Sequence, residues 1–230
     1  MSDDVWVENE SYRAFTKDGG CVYRLPEAKE ALEFYKRVYE DISPKDSVSW
    51  GFTEMVQGFM SGTCAILIQD NDVIATIEDG LDPELWGVGN IPIGTSGFGT
   101  QTAGYGGWAM TAKTQYPEET AKFIKFLSNA ENNGYFCRQN GLIPIHTTSI
   151  EQDEYFSSGA YTIFNKMNDL GCYRIFNNLG IGYDITATFN NDRDEYLQKY
   201  LLGEVDADTL LDYWASQWEK AVADQGKLWE

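Results

Sequence analysis

The chain has 230 residues, 43% of them apolar, which bounds it to one large or two small globular domains with enough apolar side chains for a packed core. Its formal net charge of -19 excludes nucleic acid and anionic membrane surfaces as partners, because phosphates would be repelled over the whole surface and no basic patch offsets this. The 7 Trp, 14 Tyr and 12 Phe exceed what such a core needs, so some rings are expected to face a ligand or partner.

Val5-Trp6-Val7 and Cys21-Val22-Tyr23 are short apolar pieces separated by Asp18-Gly19-Gly20, and the second predicts a strand or hairpin edge. Pro26 opens a helix to about Asp41, with Ala28, Leu32, Tyr35 and Tyr39 on one face. Phe52, Val56 and Phe59 or Met60 predict a second helix that stops at Ser61-Gly62. Cys64-Ala65-Ile66-Leu67-Ile68 lacks alternation and predicts a strand buried on both faces. It runs into Gln69-Asp70-Asn71-Asp72. Polar residues at the carboxyl end of a buried strand sit where open α/β sheets bind ligands, which makes Asp70, Asn71 and Asp72 candidate site residues.

Trp86-Gly87-Val88-Gly89 and residues 108–112 predict two more short strands, joined by a polar Gly, Ser and Thr linker over 94–102. Before the second lies Gly104-Tyr105-Gly106-Gly107-Trp108. A glycine pair gives access to positive φ and lets another molecule approach the backbone, while the indole adds a flat apolar face and one N–H donor. Gly106, Gly107 and Trp108 are therefore the leading candidates for contact with a ring. Pro117 then starts a helix with Glu118 and Glu119 at its positive end, and Ala121, Ile124 and Phe126 or Leu127 predict a buried stripe. Residues 129–140 read as a shorter helix ending at Gly141, followed by an apolar extended piece at 142–145. Helical patterns over 161–168, 188–202 and 206–223 complete the chain, the last carrying Leu210, Leu211, Trp214 and Trp218.

Cys21, Cys64, Cys137 and Cys172 are widely spaced without metal-ligand motifs, leaving buried free thiols as the favoured reading and two extracytosolic disulfides as the alternative. His146 has no partner motif, so no catalytic triad, metal or cofactor is expected. No basic and apolar leader opens the chain, and no apolar run is long enough to span a membrane.

A family resemblance rests on the order of several pieces. Residues 59–68 resemble the "F-x-x-G-x-x-A-M-x-x" signature of the extracellular solute-binding proteins of sugar ABC transporters, the maltose-binding-protein-like group. Trp86-Gly87-Val88 with Ile91-Pro92 is similar to its "g-V-x-P-x-P" strand. Residues 106–127 resemble its "G-G-x-x-x-x-I-x-x-x-S-x-x-P-E-x-A-x-x-F-I-x-F-L" segment, and Gly141-Leu142-Ile143-Pro144 its "G-x-x-P" turn. Leu202-Gly203-Glu204 and the final helix are similar to its usual ending.

The resemblance implies an α/β, periplasmic-binding-protein-like (type II) C-terminal lobe, with a small central sheet flanked by many helices. It implies that residues 1–230 are the C-terminal part of a two-lobe protein. About 1–115 and 180–230 would form second-lobe sheet and helices, and about 116–180 helices that pack toward a first lobe preceding residue 1. The implied partners are a sugar or oligosaccharide, a membrane permease and that first lobe, in an extracytoplasmic protein, periplasmic or lipoprotein-anchored. By position, Gly106, Gly107 and Trp108 resemble the turn that meets the ligand and Asp70, Asn71 and Asp72 the loop beside it. Tyr183, Phe189 and Asn190 fall where a late loop and helix start reach the cleft. The aromatic that relatives often carry after the buried strand is replaced here by Asp70, Asn71 and Asp72, which favours hydrogen bonds to hydroxyls there. The competing reading is a glycoside hydrolase using two carboxylates from Asp70, Asp72 or Asp184.

Overall fold

Prolines and left-handed glycines punctuate the helices much as the sequence predicts. The computed structural model describes residues 20–94, 101–104, 106–169, 173–175 and 183–225; Val5-Trp6-Val7 and most of the 94–102 linker lie outside them. Among the described residues the α-helices are α1 (Pro26–Ile42), α2 (Phe52–Met60), α3 (Ile74–Gly80), α4 (Pro117–Leu127), α5 (Ala130–Gln139), α6 (Thr147–Gln152), α7 (Tyr161–Asp169), α8 (Tyr183–Leu201) and α9 (Ala207–Gln225). Two three-residue strands, β1 (Gln101–Ala103) and β2 (Tyr173–Ile175), pair in a two-stranded sheet. The chain divides into two compact units, one from Met1–Met55 with Arg174–Glu230 and the other from Val56–Tyr173.

In the first unit, Leu210 and Ala215 of α9 are wholly buried, with Leu211, Trp214, Trp218 and Ala221 beside them. This stripe packs with Leu32 of α1, Tyr200 and Leu201 of α8, and Cys21. Burial pushes the Cys21 thiol up to about 11. Residues 21–23, predicted as a strand or hairpin edge, keep only a β-bridge at Cys21 before a 3-10 turn, Val22–Arg24. Arg24 explains the turn: its guanidinium donates two bonds to Glu219 (2.6 and 2.8 Å) and one to Asp212 (2.7 Å), both on α9. Helix α8 starts five residues earlier than the pattern over 188–202 predicts. It closes in a Schellman turn, with Gly203 at φ 79 and Glu204 N–H on the Lys199 carbonyl. Asp206 then caps α9 through the Thr209 N–H (2.8 Å).

The second unit has two linked clusters. Val56 of α2, Val73 and Ile77 pack with Leu67, while Ile74, Cys137 of α5, Phe156 and Tyr161 pack with Leu142 and Phe164. Trp86 touches both. Here several expectations are corrected. Residues 64–68 are irregular, with a bend at Ala65 and the Cys64 N–H on the Gly58 carbonyl: Leu67 faces the α2 and α3 cluster, whereas Ile66 and Ile68 are 79% and 73% exposed. A strand is buried on both faces only when neighbouring strands and helices cover it, and among the described residues none does. Residues 86–89 and 108–112 likewise form no strand, and the end of the predicted linker, Gln101 and Thr102, enters one instead, Gln101–Ala103. The predicted stripe of α4 is not buried either: Ala121 and Phe126 are exposed, and Ile124 and Leu127 only half-buried. The amphipathic pattern is present, but the described part of the chain offers nothing that covers it.

Cys21, Cys64 and Cys137 are free thiols, and Cys172 lies outside the described residues. Among the described residues, no helix is long and apolar enough to cross a membrane.

Candidate functional site

The segment before α4 gives Trp108 an irregular, solvent-facing position. The residue is 48% exposed, and its ring meets Phe136 of α5 edge to face, with centroids 5.6 Å apart and planes at 66°. One face of an indole held in this way remains free to cover the C–H face of another ring. Gly106 and Gly107 are exposed, and neither adopts a positive φ, contrary to one reason for expecting glycines there. A Cβ on either would meet nothing within 4 Å, so what the glycines supply is uncovered backbone beside the indole.

The Asp70 to Asp72 turn is built differently from the predicted strand tip. Asp70 precedes a 3-10 turn, Asn71–Val73, that leads directly into α3, and Val73 and Ile74 anchor it in the core. Asn71 is half-buried and donates from Nδ2 to the Gly141 carbonyl at 2.6 Å. Gly141 closes α5 at φ 67, with the Leu142 N–H on the Cys137 carbonyl. Its missing side chain lets the two turns meet: a Cβ there would lie 2.9 Å from the Asn71 carbonyl oxygen and 3.1 Å from that of Asp72. Asn71 is thus committed to structure, while the carboxylates of Asp70 and Asp72 face solvent. Partial burial and the adjacent Asp70 charge push the Asp72 carboxyl up.

Helix α5 therefore carries a partner for each arm of the candidate site, Phe136 for Trp108 and Gly141, just past its end, for Asn71. Phe136 was not anticipated from the sequence. Its neighbours Tyr135 and Cys137 point to opposite environments, 69% and 3% exposed, and no local pattern links it to Trp108. Tyr183 is the first residue of α8, not part of a preceding loop, and Phe189 and Asn190 lie inside that helix. All three belong to the first unit, and their side chains lie outside the described residues.

His146 has a structural role: its Nε2 donates to the Ser128 carbonyl at 2.7 Å. Among the described residues, no group of three or more His, Cys, Asp or Glu side chains could hold a metal ion. A cavity of about 460 Å³ in the first unit lies between α1 and the α8–α9 turn, with Lys29, Glu33, Lys36, Tyr200 and Asp208 in its lining. Its cations are engaged, Lys29 with Asp208 at 2.7 Å and Lys36 with the Tyr200 carbonyl at 2.9 Å. Its ring, Tyr200, is buried, so the cavity lacks the exposed aromatic face of the second unit's site.

No curated protein matches the chain by sequence. Among solved structures, maltose-bound MalE3 of T. maritima is similar at 16% identity and a TM-score of 0.73, covering 90% of this chain and 53% of that one. The maltose-maltodextrin binding protein of Alicyclobacillus acidocaldarius is similar at 14% identity and a TM-score of 0.67, covering 86% and 52%. UgpB from Mycobacterium tuberculosis, solved with glycerophosphocholine, is similar at 16% identity and a TM-score of 0.64, covering 90% and 52%. The chain shares their fold, and it spans little more than half the length of the structures it matches. The family model described as bacterial extracellular solute-binding protein matches residues 3–162, well over half of the chain. The chain belongs to the bacterial extracellular solute-binding protein family.

Proposed function

We propose that this chain contributes to a receptor that binds a sugar or oligosaccharide without chemical change, for delivery to an ABC transporter permease. The observation that carries the reading is the half-exposed indole of Trp108 beside the bare backbone of Gly106 and Gly107. A pyranose presents an apolar C–H face to such a ring and equatorial hydroxyls to carboxylates, which Asp70 and Asp72 supply in the same unit. Tyr183, Phe189 and Asn190 are proposed as further contacts from α8. The matched structures include proteins solved with maltose and with glycerophosphocholine, and sharing their fold is consistent with a small polar cargo.

In this reading the protein works outside the cytoplasm, and the first lobe of the receptor comes from sequence beyond this chain. Residues 1–115 and 180–230 would belong mainly to one lobe and 116–180 to helices that pack toward the other. Closure of two lobes around the cargo would couple affinity to the closed state and allow release at the permease. Tryptophan fluorescence of the full-length protein is expected to change saturably with a mono- or oligosaccharide, and Trp108→Ala to remove most of that change. An undiminished response in the variant would dismiss Trp108 as the contact. Among the described residues, the raised Asp72 carboxyl beside Asp70 favours a glycoside hydrolase. Reducing sugar released from the saccharide by the wild-type protein, and lost in Asp72→Asn, would establish that alternative.

A further inference from the structure

We infer that Phe136 is the positioning residue for Trp108, setting the direction in which the indole face is offered to a ligand. The inference rests on the sugar-binding reading for its purpose and on the second unit's geometry for its substance. Residues 106–110 lie in irregular backbone and form no hydrogen bond with another described residue, so the main chain does little to fix the indole. The edge-to-face contact with Phe136 at 5.6 Å is what orients it.

Phe136, by contrast, stands on a fixed base. Cys137 next to it is 3% exposed and packs with Ile74 and Phe156. Asn129 caps the start of α5 through the Asn132 N–H at 2.9 Å, and the Ser149 hydroxyl donates to the Ala130 carbonyl at 2.7 Å. Asn140, one turn on, donates from Nδ2 to the Phe136 carbonyl at 2.8 Å. The Gly141 turn that follows is tied to Asn71. A ring on an anchored helix is thus set against a ring on an otherwise untethered segment, and the same helix end holds the polar turn. This is the support that a binding group needs if its orientation is to survive between ligand encounters.

Fluorine NMR of the fluorotryptophan-labelled full-length protein tests this, with the Trp108 resonance assigned by Trp108→Phe. Without ligand, Phe136→Ala is expected to shift and broaden that resonance and Phe136→Tyr to restore it. In a titration with a panel of mono- and disaccharides led by maltose, Phe136→Ala is expected to weaken binding by roughly two- to tenfold, the span of an edge-to-face aromatic pair. Phe136→Tyr should stay near wild type. An unmoved Trp108 resonance in Phe136→Ala, or a moved resonance with unchanged saccharide affinity, would overturn the positioning role. A wild-type resonance that answers to no saccharide would overturn the sugar-binding reading and this role with it. The ligand-free spectra alone would then show the pair to be packing.

Discussion

At Gly141 a single missing side chain decides whether two turns can meet. Its φ of 67 lies in the left-handed region, and a methyl there would press on the Asn71 and Asp72 carbonyl oxygens at 2.9 and 3.1 Å. Gly203 has a similar φ of 79 but open space around it. Gly203→Ala should therefore cost only the conformational penalty, about 1 kcal/mol. Gly141→Ala should cost about 2–4 kcal/mol, since steric displacement of the turn adds to that penalty. Urea denaturation of the two variants checks this, and equal costs would mean that the turns are not in contact. A glycine at 141 was legible as a helix end, because the run before it has helical composition and stops there. That its bareness also seats Asn71, or that Phe136 meets Trp108, was not legible: both are contacts between distant parts of the chain, and local periodicity carries no information about them.

Helices α9 and α4 show what a pattern does and does not specify. Both place apolar residues on one face, and both begin where the sequence indicates, at the Asp206 cap and at Pro117. In α9 the face is covered, with Leu210 at 0% exposure, so Leu210→Ala should cost about 2–5 kcal/mol. In α4 Phe123 and Phe126 are 59% and 58% exposed, so Phe126→Ser should change the stability of this chain by no more than about 0.5 kcal/mol. Thermal unfolding of the two variants measures the contrast; a large loss for Phe126→Ser would show that the face is covered after all. The amphipathic signal states which residues seek cover and is silent on whether cover exists. The same gap explains residues 64–68, where an apolar run reads as a doubly buried strand yet Ile66 and Ile68 face solvent. Caps and prolines act within one turn and were readable, whereas a sheet is a pairing between segments, and its β1 and β2 partners had no signature.

On the scale of the molecule, the chain spans little more than half the length of the structures whose fold it shares, and its second unit leaves many large apolar side chains uncovered. Ile66 and Ile68 sit on irregular backbone and are exposed, as are Ile93, Tyr116, Phe123 and Phe126. Uncovered apolar groups attract their like on other molecules, and a net charge of -19 opposes that approach. The balance depends on ionic strength, because the screening length falls from about 30 Å at 0.01 M salt to about 3 Å at 1 M. Light scattering of the purified chain should therefore rise with added sodium chloride, and replacing Ile66 and Ile68 by lysine should suppress the rise. Scattering that falls with salt would show repulsion to be irrelevant. Uncovered apolar side chains on a strongly acidic protein thus make colloidal behaviour a reporter of fold completion: whatever polypeptide covers Ile66 and Ile68 should also reduce the sensitivity to salt.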